Sequence, residues 1–267
     1  MADSHWRLIP DYRASGRTQM AIDQWLLAQH LQGLQPHCLR FYTWTPATIS
    51  LGYHQKRWPL RWQTIEFQGA RLEIVRRPTG GRAVLHQGDV TYSVVSSGFV
   101  GKRLAVYRQI CRFLIQGWRS LGVPLHYGQQ QRGYEKSPNC FASPTVADLI
   151  TSQGEKLIGS AQLKRQLKHQ RAVLQHGSMR LRPDRDLHSA VFSAPFSAPA
   201  LPRSLQDLSF ERCRSQVIEA LAEAAQTCFG QSWTVQPLSN QEIDAAIAQF
   251  GHCSFLDFGD RQVPLHL

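Results

Sequence analysis

Three stretches of this 267-residue chain carry residue types able to act on a small molecule. The first runs Arg76-Arg77-Pro78-Thr79-Gly80-Gly81-Arg82-Ala83-Val84-Leu85-His86. An apolar run (Leu72, Ile74, Val75) leads into two arginines, a glycine pair and a second apolar run that ends in a histidine. Glycines lack a Cβ, admit positive φ and let a ligand touch the main chain. Clustered N–H groups beside arginines favour a carbonyl oxygen or a phosphate. A plain β-hairpin with a Gly-Gly turn is the competing reading of the same residues. The second stretch holds Cys140, which follows a polar, aperiodic segment from Gly128 to Pro138 that reads as a mobile surface loop. Cations such as Arg132 and Lys136 lower a nearby thiol's pKa and a loop leaves its sulfur reachable, although exposed cysteines also stand idle. The third is Lys156-Leu157-Ile158-Gly159-Ser160-Ala161-Gln162, where a cation opens an apolar strand beside an approachable backbone. A solvated lysine at a strand end is the alternative there.

The elements that must position these stretches alternate between strand and helix patterns. Trp6–Ile9 reads as a short strand and Thr18–Leu31 as an amphipathic helix. Leu39–Trp44 and Ala47–Tyr53 read as two strands turned at Thr45-Pro46 into an antiparallel pair. A short helix is expected from about Pro59 to Phe67, with Gly69 as its C-cap. Lys102–Leu121 is a helix whose apolar side includes Leu104, Tyr107, Cys111, Leu114 and Trp118. On that face Cys111 reads as a small hydrophobe rather than a nucleophile. Strands follow at Thr145–Ile150, Lys156–Leu163 and Ala172–Leu181, the first two joined by the turn Ser152-Gln153-Gly154-Glu155. Arg182–Asp207, rich in Pro, Ala and Ser, reads as an extended connection. Phe210–Phe229 is a helix closed by Gly230, Trp233–Val235 a strand, and Asn240–Phe250 a last helix.

Composition bounds the class. A 42% hydrophobic chain of this length can build a sizeable core in one domain, here taken as 1–267. Thirty Lys and Arg against 19 Asp and Glu give a formal charge of +11, which favours an acidic partner. The cations are scattered rather than blocked, so a nucleic-acid groove is not indicated. The six cysteines form no C-x-x-C pair and no metal-ligand spacing. No window approaches the ~20 apolar residues of a membrane span. The polar start implies a cytoplasmic protein with free thiols.

Read together, Arg76-Arg77-x-x-Gly80-Gly81-x-Ala83-Val84-x-His86, Gly154-x-Lys156-Leu157-Ile158-Gly159-Ser160-Ala161-Gln162 and Leu174-Gln175-His176-Gly177-Ser178 resemble the lipoate/biotin protein ligase and octanoyltransferase superfamily. Trp44-x-Pro46-x-x-Ile49-Ser50-Leu51-Gly52 and Met20-Ala21-x-Asp23 agree with it, and the resemblance covers roughly residues 6 to 230. It implies an α/β (α+β) fold of the biotin/lipoyl protein ligase catalytic-domain type, with a larger mixed sheet, a smaller sheet and flanking helices. Arg82 stands where the ATP-dependent ligases usually carry a third glycine, and Gln87 where they carry Asp. Only about 35 residues follow the strand at Trp233, too few for the ligases' separate accessory domain. Cys140-Phe141-x-Ser143-Pro144 resembles the catalytic-cysteine loop of the LipM-type octanoyltransferases.

That branch implies an octanoyl group arriving as a thioester on acyl carrier protein, an acyl-enzyme on Cys140, and transfer to a lysine of a lipoyl domain. Acceptors of that kind are the glycine-cleavage H protein and the 2-oxoacid dehydrogenase E2 components. Lys156 would lower the cysteine pKa and stabilise the oxyanion. N–H groups near Gly80-Gly81 and Gly159-Ser160, with Arg76, Arg77 and Ala161, would hold the substrate. His86 either orients the site, moves protons or is structural. Leu51, Val84, Leu85, Tyr92 and Ile158 are the expected walls of the acyl tunnel. No cofactor or metal is required on this reading, and no nucleic acid or membrane is involved. The alternatives are an ATP/Mg-using lipoate ligase without its accessory domain, an amidotransferase between lipoyl domains, and a non-catalytic lipoate- or nucleic-acid-binding regulator.

Overall fold

A computed structural model describes residues 5–129, 145–194, 196, 198–230 and 232–253. In chain order its elements are β1 (Trp6–Ala14), α1 (Gly16–Leu31), β2 (His37–Trp44), β3 (Thr48–Leu51), a 3₁₀ turn (Leu60–Thr64), β4 (Glu66–Phe67), β5 (Ala70–Arg71), β6 (Glu73–Arg76), β7 (Val84–His86) and β8 (Asp89–Ser97). There follow α2 (Arg103–Ser120), β9 (Leu125–Tyr127), β10 (Asp148–Thr151), β11 (Lys156–Leu167), β12 (Gln170–Arg180), α3 (Arg185–Phe192), α4 (Arg203–Gln206), α5 (Phe210–Phe229), β13 (Trp233–Val235) and α6 (Asn240–Phe250).

The larger sheet has the order β13-β1-β2-β8-β12-β11-β10-β9 and is mixed: β1 runs parallel to β13 and β2, and the other pairs are antiparallel. Its central strands β2 and β8 are buried almost throughout because helices or the smaller sheet cover both faces. On one face Leu39, Phe41, Tyr92 and Val94 pack with Ile110, Phe113 and Trp118 of α2 and with Val217 and Leu221 of α5. On the other, α1 presents Ile22, Trp25 and Leu26 to Val95 and Leu174.

Helix ends are secured across the fold. The Ser15 hydroxyl caps α1, and the Glu73 carboxylate on β6 accepts from the N–H groups of Gly16 (2.6 Å) and Arg17 (3.1 Å), placing an anion at the positive end of the helix. Glu242 completes a capping box with Ser239 at the start of α6. The same carboxylate takes the buried Arg7 of β1 in a fork (2.6 and 2.9 Å), so α6 is fastened to the sheet.

Several sequence expectations change. Ala47–Tyr53 does not pair with β2. Pro46 has no N–H for a ladder, and the chain leaves the larger sheet there, so that β3 becomes the centre of a separate sheet β6-β3-β7. Ile49 and Leu51 are buried in that sheet's own cluster with Trp62, Leu72 and Ala83. β6 and β7 both pair with β3 and not with each other, so the glycine pair is not a hairpin turn. The helix expected from Pro59 to Phe67 is a single 3₁₀ turn, and Gly69 sits with Gln68 at positive φ (78° and 52°) in a hairpin between β4 and β5. The β-branched Thr64 and Ile65 favour that extended exit. The extended connection from Arg182 contains α3 and α4; Asp184 caps α3 by accepting from Leu187 N (2.8 Å). Leu187, Val191 and Phe192 of α3 join the small-sheet cluster, an amphipathic spacing masked by the surrounding Pro, Ala and Ser.

Trp62 is the tie between these parts: it is fully buried, its Nε1 donates to Val191 O (2.6 Å), and its ring meets Phe192 edge-on. Trp62→Ala is expected to cost about 3–5 kcal/mol, read as a lower midpoint in urea unfolding. A change below ~1 kcal/mol would show that α3 does not depend on this contact.

Candidate active site

A cavity of about 400 Å³ opens between the larger and smaller sheets. Met20 of α1, Tyr42 and Trp44 of β2, Val84 of β7, and Leu104 and Tyr107 of α2 give it apolar walls. Ser50, Arg77, His86, Asp148, Ser160 and His176 supply polar groups. A concave, largely apolar space with a few placed polar groups is the form of a small-molecule site.

The glycine loop roofs this space and is held by Arg77. That buried guanidinium donates to Ser50 O (2.8 Å) and Ser50 Oγ (3.2 Å), to Gly80 O (2.8 Å) and to Arg82 O (2.7 Å). Tyr53 N donates to Thr79 O (2.8 Å), and a Cβ on Gly52 would lie 1.8 Å from Gly81 O, so the two chain segments touch through backbone alone. Gly81 takes φ 100°, the left-handed region that favours glycine. Gly80 and Gly81 line the cavity. Arg76 does not: its guanidinium donates to the carbonyls of Gly52 (3.0 Å) and Gln55 (2.8 Å) and braces the neighbouring loop.

Two carboxylate–imidazole–hydroxyl chains stand behind the loop. His86 Nδ1–H donates to Asp89 Oδ2 (2.8 Å), which leaves Nε2 to accept from the Ser50 hydroxyl (2.8 Å), and its ring stacks on Trp44 at 3.8 Å. His176 Nδ1–H donates to Asp23 Oδ2 (2.8 Å), and Nε2 accepts from the Thr79 hydroxyl (2.6 Å). Asp23 also receives the Tyr42 hydroxyl (3.0 Å) and pairs with Arg40 (3.3 Å). Burial alone would raise the Asp23 pKa, but Arg40 and His176 bring it below the usual carboxylate value. For His86 burial outweighs Asp89 and pulls the pKa down. The sequence named Asp23 and His176 only within motifs and gave them no role. Asp89, three residues after His86, was the available signal for the first chain.

The opposite wall belongs to β10 and β11. Gly159, Ser160 and Ala161 line the cavity, and Ser160 Oγ is 2.8 Å from Tyr92 Oη, which accepts from Gln175 Nε2 (2.8 Å). Gly177 on β12 faces Ser160 across the ladder; a Cβ there would approach Ser160 Oγ to 2.6 Å and the Tyr92 ring to 2.7 Å. Lys156 is buried and ion-paired with Asp148 at 2.9 Å. Asp148 forms part of the cavity wall, and Lys156 stands behind it rather than in the lining. Asp148 Oδ2 in turn accepts from Thr145 N (2.6 Å) and Oγ1 (2.8 Å), holding the start of that wall.

Of the five expected tunnel residues, Val84 lines the cavity; Leu51, Leu85, Tyr92 and Ile158 do not. Leu51 is instead buried in the small-sheet cluster, Tyr92 and Ile158 in the α2 core, and Leu85 packs on the small-sheet cluster. Gln87 is also explained: its Oε1 accepts from Asp184 N (2.6 Å), so it braces the N-cap of α3. Cys140, Arg132 and Lys136 lie outside the described residues. Cys111 is fully buried, and burial pushes its thiol up to about 12, as expected of a packing residue. Among the described residues the cysteines are free, no cluster of His, Cys, Asp and Glu is placed to hold a metal ion, and no helix is long and apolar enough to cross a membrane.

The His86 chain carries a pH dependence. Its folded pKa lies below the ordinary 6.5, so its contribution is complete above pH 6.5 and is lost as pH falls towards the folded value. Urea unfolding between pH 8 and pH 5 is expected to give falling stability below pH 6.5, with a shallower slope in His86→Gln. An identical slope in the variant would remove His86 from the titration.

Comparison with known proteins agrees with this geometry. Residues 15–226 match the model of the lipoyl protein ligase A/B catalytic domain. Octanoyltransferase LipM of Kyrpidia tusciae is 36% identical over 248 residues, covering 82% of this chain and 86% of the relative. Octanoyltransferase LipM of Brevibacillus brevis is 34% identical over 255 residues, covering 91% and 84%. Among solved structures, a lipoate-protein ligase A bound with ATP superposes with TM-score 0.70 at 22% identity, covering 92% of this chain and 94% of that one. A chain of the bi-partite lipoate protein ligase of Thermoplasma acidophilum, studied with its E2 lipoyl domain, gives 0.63 at 21%, covering 92% of each. These structural likenesses establish the fold, and the sequence matches the family: the chain belongs to the lipoyl protein ligase A/B catalytic domain family, on the branch of the LipM octanoyltransferases.

Proposed function

We propose that the chain transfers octanoyl groups from acyl carrier protein to the lysine of a lipoyl domain, through a thioester on Cys140. The observation that carries this reading is the cavity roofed by the glycine loop and walled by Asp148, Gly159, Ser160 and Ala161, in a chain 34–38% identical to LipM octanoyltransferases. Cys140 stands five residues before Thr145, on the stretch that leads into the cavity wall.

In the first step the Cys140 sulfur attacks the thioester carbonyl. A new C–S bond forms, the carrier's C–S bond breaks, and the proton lost by Cys140 passes to the departing thiolate. One thioester replaces another, so the step is close to isoenergetic and no nucleotide is needed. In the second step the neutral lysine amine attacks, a C–N bond forms, the Cys140 C–S bond breaks, and the thiol regains a proton from the amine. Amide formation from a thioester is downhill. On this reading Lys156 supplies positive charge for the thiolate and for the oxyanion; in the structure it is paired with Asp148 behind the cavity wall. His176 and Arg77 fix the loop over the acyl chain. The acceptor is a lipoyl domain, in keeping with the E2 lipoyl domain studied alongside the archaeal ligase.

Intact-mass spectrometry after incubation with octanoyl-acyl carrier protein, without ATP, tests this directly. The wild type is expected to gain one octanoyl group that hydroxylamine removes, and Cys140→Ala to gain none. If neither protein gains mass, and ATP with free octanoate or lipoate yields an acyl-adenylate, the chain is an ATP-using ligase. If a lipoylated or octanoylated domain donates and acyl carrier protein does not, it is an amidotransferase.

A further inference from the structure

Charge is segregated along this chain. No Asp or Glu occurs between Asp89 and Glu135, nor between Glu155 and Asp184. The described parts of these acid-free stretches form most of β8, α2 and β9 in the first and β11 and β12 in the second. The fold brings two of their exposed ends together: Lys164 Nζ donates to Gly101 O at 3.4 Å, fastening the β11–β12 hairpin to the loop that enters α2. Lys102, Arg103, Lys164, Arg165, Lys168 and Arg171 are all exposed there. Among the described residues none of the six is ion-paired with a carboxylate.

Two further observations mark this as a surface for a partner. α2 begins with Lys102 at its N-cap and Arg103 in its first turn, with no acid, where cations oppose the helix dipole. Val100 (79% exposed), Leu104 and Leu167 (42% exposed) place apolar side chains among the cations, a mixture whose burial rewards a protein surface rather than a nucleic-acid backbone. The patch also borders the cavity. Arg103, Leu104, Ala161 and Gln162 belong to its wall, and at ~3.3 Å per residue Arg165 lies about 13 Å along β11 from Ala161. A protein seated on the patch would therefore present a tethered acyl chain at the cavity.

We propose that this face, the N-terminal end of α2 with the tip of the β11–β12 hairpin, is the docking surface for the acyl donor, a protein with an acidic surface that carries the acyl group as a thioester. The assignment rests on the transferase reading above. Opposite charge across the interface speeds encounter and sets the register of the arm.

The test is the triple charge reversal Lys164→Glu, Arg165→Glu, Lys168→Glu, all on the exposed hairpin and outside the cavity lining. Transfer is followed with octanoyl-acyl carrier protein and with neutral octanoyl-pantetheine as donors. Binding of fluorescently labelled octanoyl-acyl carrier protein is titrated separately by anisotropy at rising salt. The expected result is a KM for the carrier donor raised about tenfold or more with kcat unchanged, a matching loss in binding that salt reproduces in the wild type, and an unchanged KM for octanoyl-pantetheine. Unchanged carrier binding, a loss shared by the pantetheine donor, a rise in the KM of the lipoyl-domain acceptor instead, or displacement of the carrier by random DNA at equal affinity would each overturn the proposal. If the wild type transfers from neither donor, the transferase reading fails, and the anisotropy titration still decides whether the surface binds the acidic carrier.

Discussion

The geometry of the cavity depends on one guanidinium. Arg77 reaches from the end of β6 to Ser50 on β3 and to Gly80 and Arg82 in the loop, so a single planar fork fixes the strand and the roof relative to each other. Lysine could not replace it, because an ammonium offers one point charge where these acceptors need donors in several directions. The loop has little support of its own: the glycine pair contributes no side chains. It keeps its shape because Arg77 holds its carbonyls from one side and His176 holds the Thr79 hydroxyl from the other.

His176 extends that dependence into the larger sheet. Through Asp23 it joins α1, β2 and β12, and Arg40 and Tyr42 complete a wholly buried set of partners. Truncating one member would leave a desolvated charge behind, which costs far more than an exposed pair gains. Such a network contributes less to net stability than to uniqueness, since any other arrangement would strand its buried charges away from one another. The sheet, the helix and the loop are thereby set in one register around the cavity.

Much of this was legible in sequence where a periodic pattern or a punctuating residue spoke directly. α2, α5 and α6 follow from their apolar faces and caps, and the motifs singled out Gly80, Gly81, Gly159, Ser160 and Ala161, all of which line the cavity. What was not legible required knowing which strands are neighbours. The segment after Pro46 alternates as a strand in either sheet, and only the burial of Ile49 and Leu51 against Trp62 assigns it to the smaller one. The tunnel walls failed for the same reason. Tyr92 and Ile158 are apolar strand residues whose side chains fall on the α2 side, and a one-residue step reverses the face. Partners distant in sequence, such as Asp23 with His176 or Arg7 with Glu242, have no local signal.

The placement of acidic residues links the site to the surface. Asp148 is buried in the cavity wall and Asp23 and Asp89 behind the lining histidines, each committed to a cation, an imidazole or a hydroxyl. Their charge is spent inside, where low dielectric makes pairing strong, and the exposed ends of α2 and the β11–β12 hairpin are left with cations alone. The backbone of the glycine loop divides its demands in a similar way. Gly81 takes up the positive φ, Arg82 does not, and Arg77 binds the Arg82 carbonyl rather than its side chain. The positive φ in this loop therefore falls on residue 81, where glycine is favoured, and the backbone at residue 82 makes no such demand.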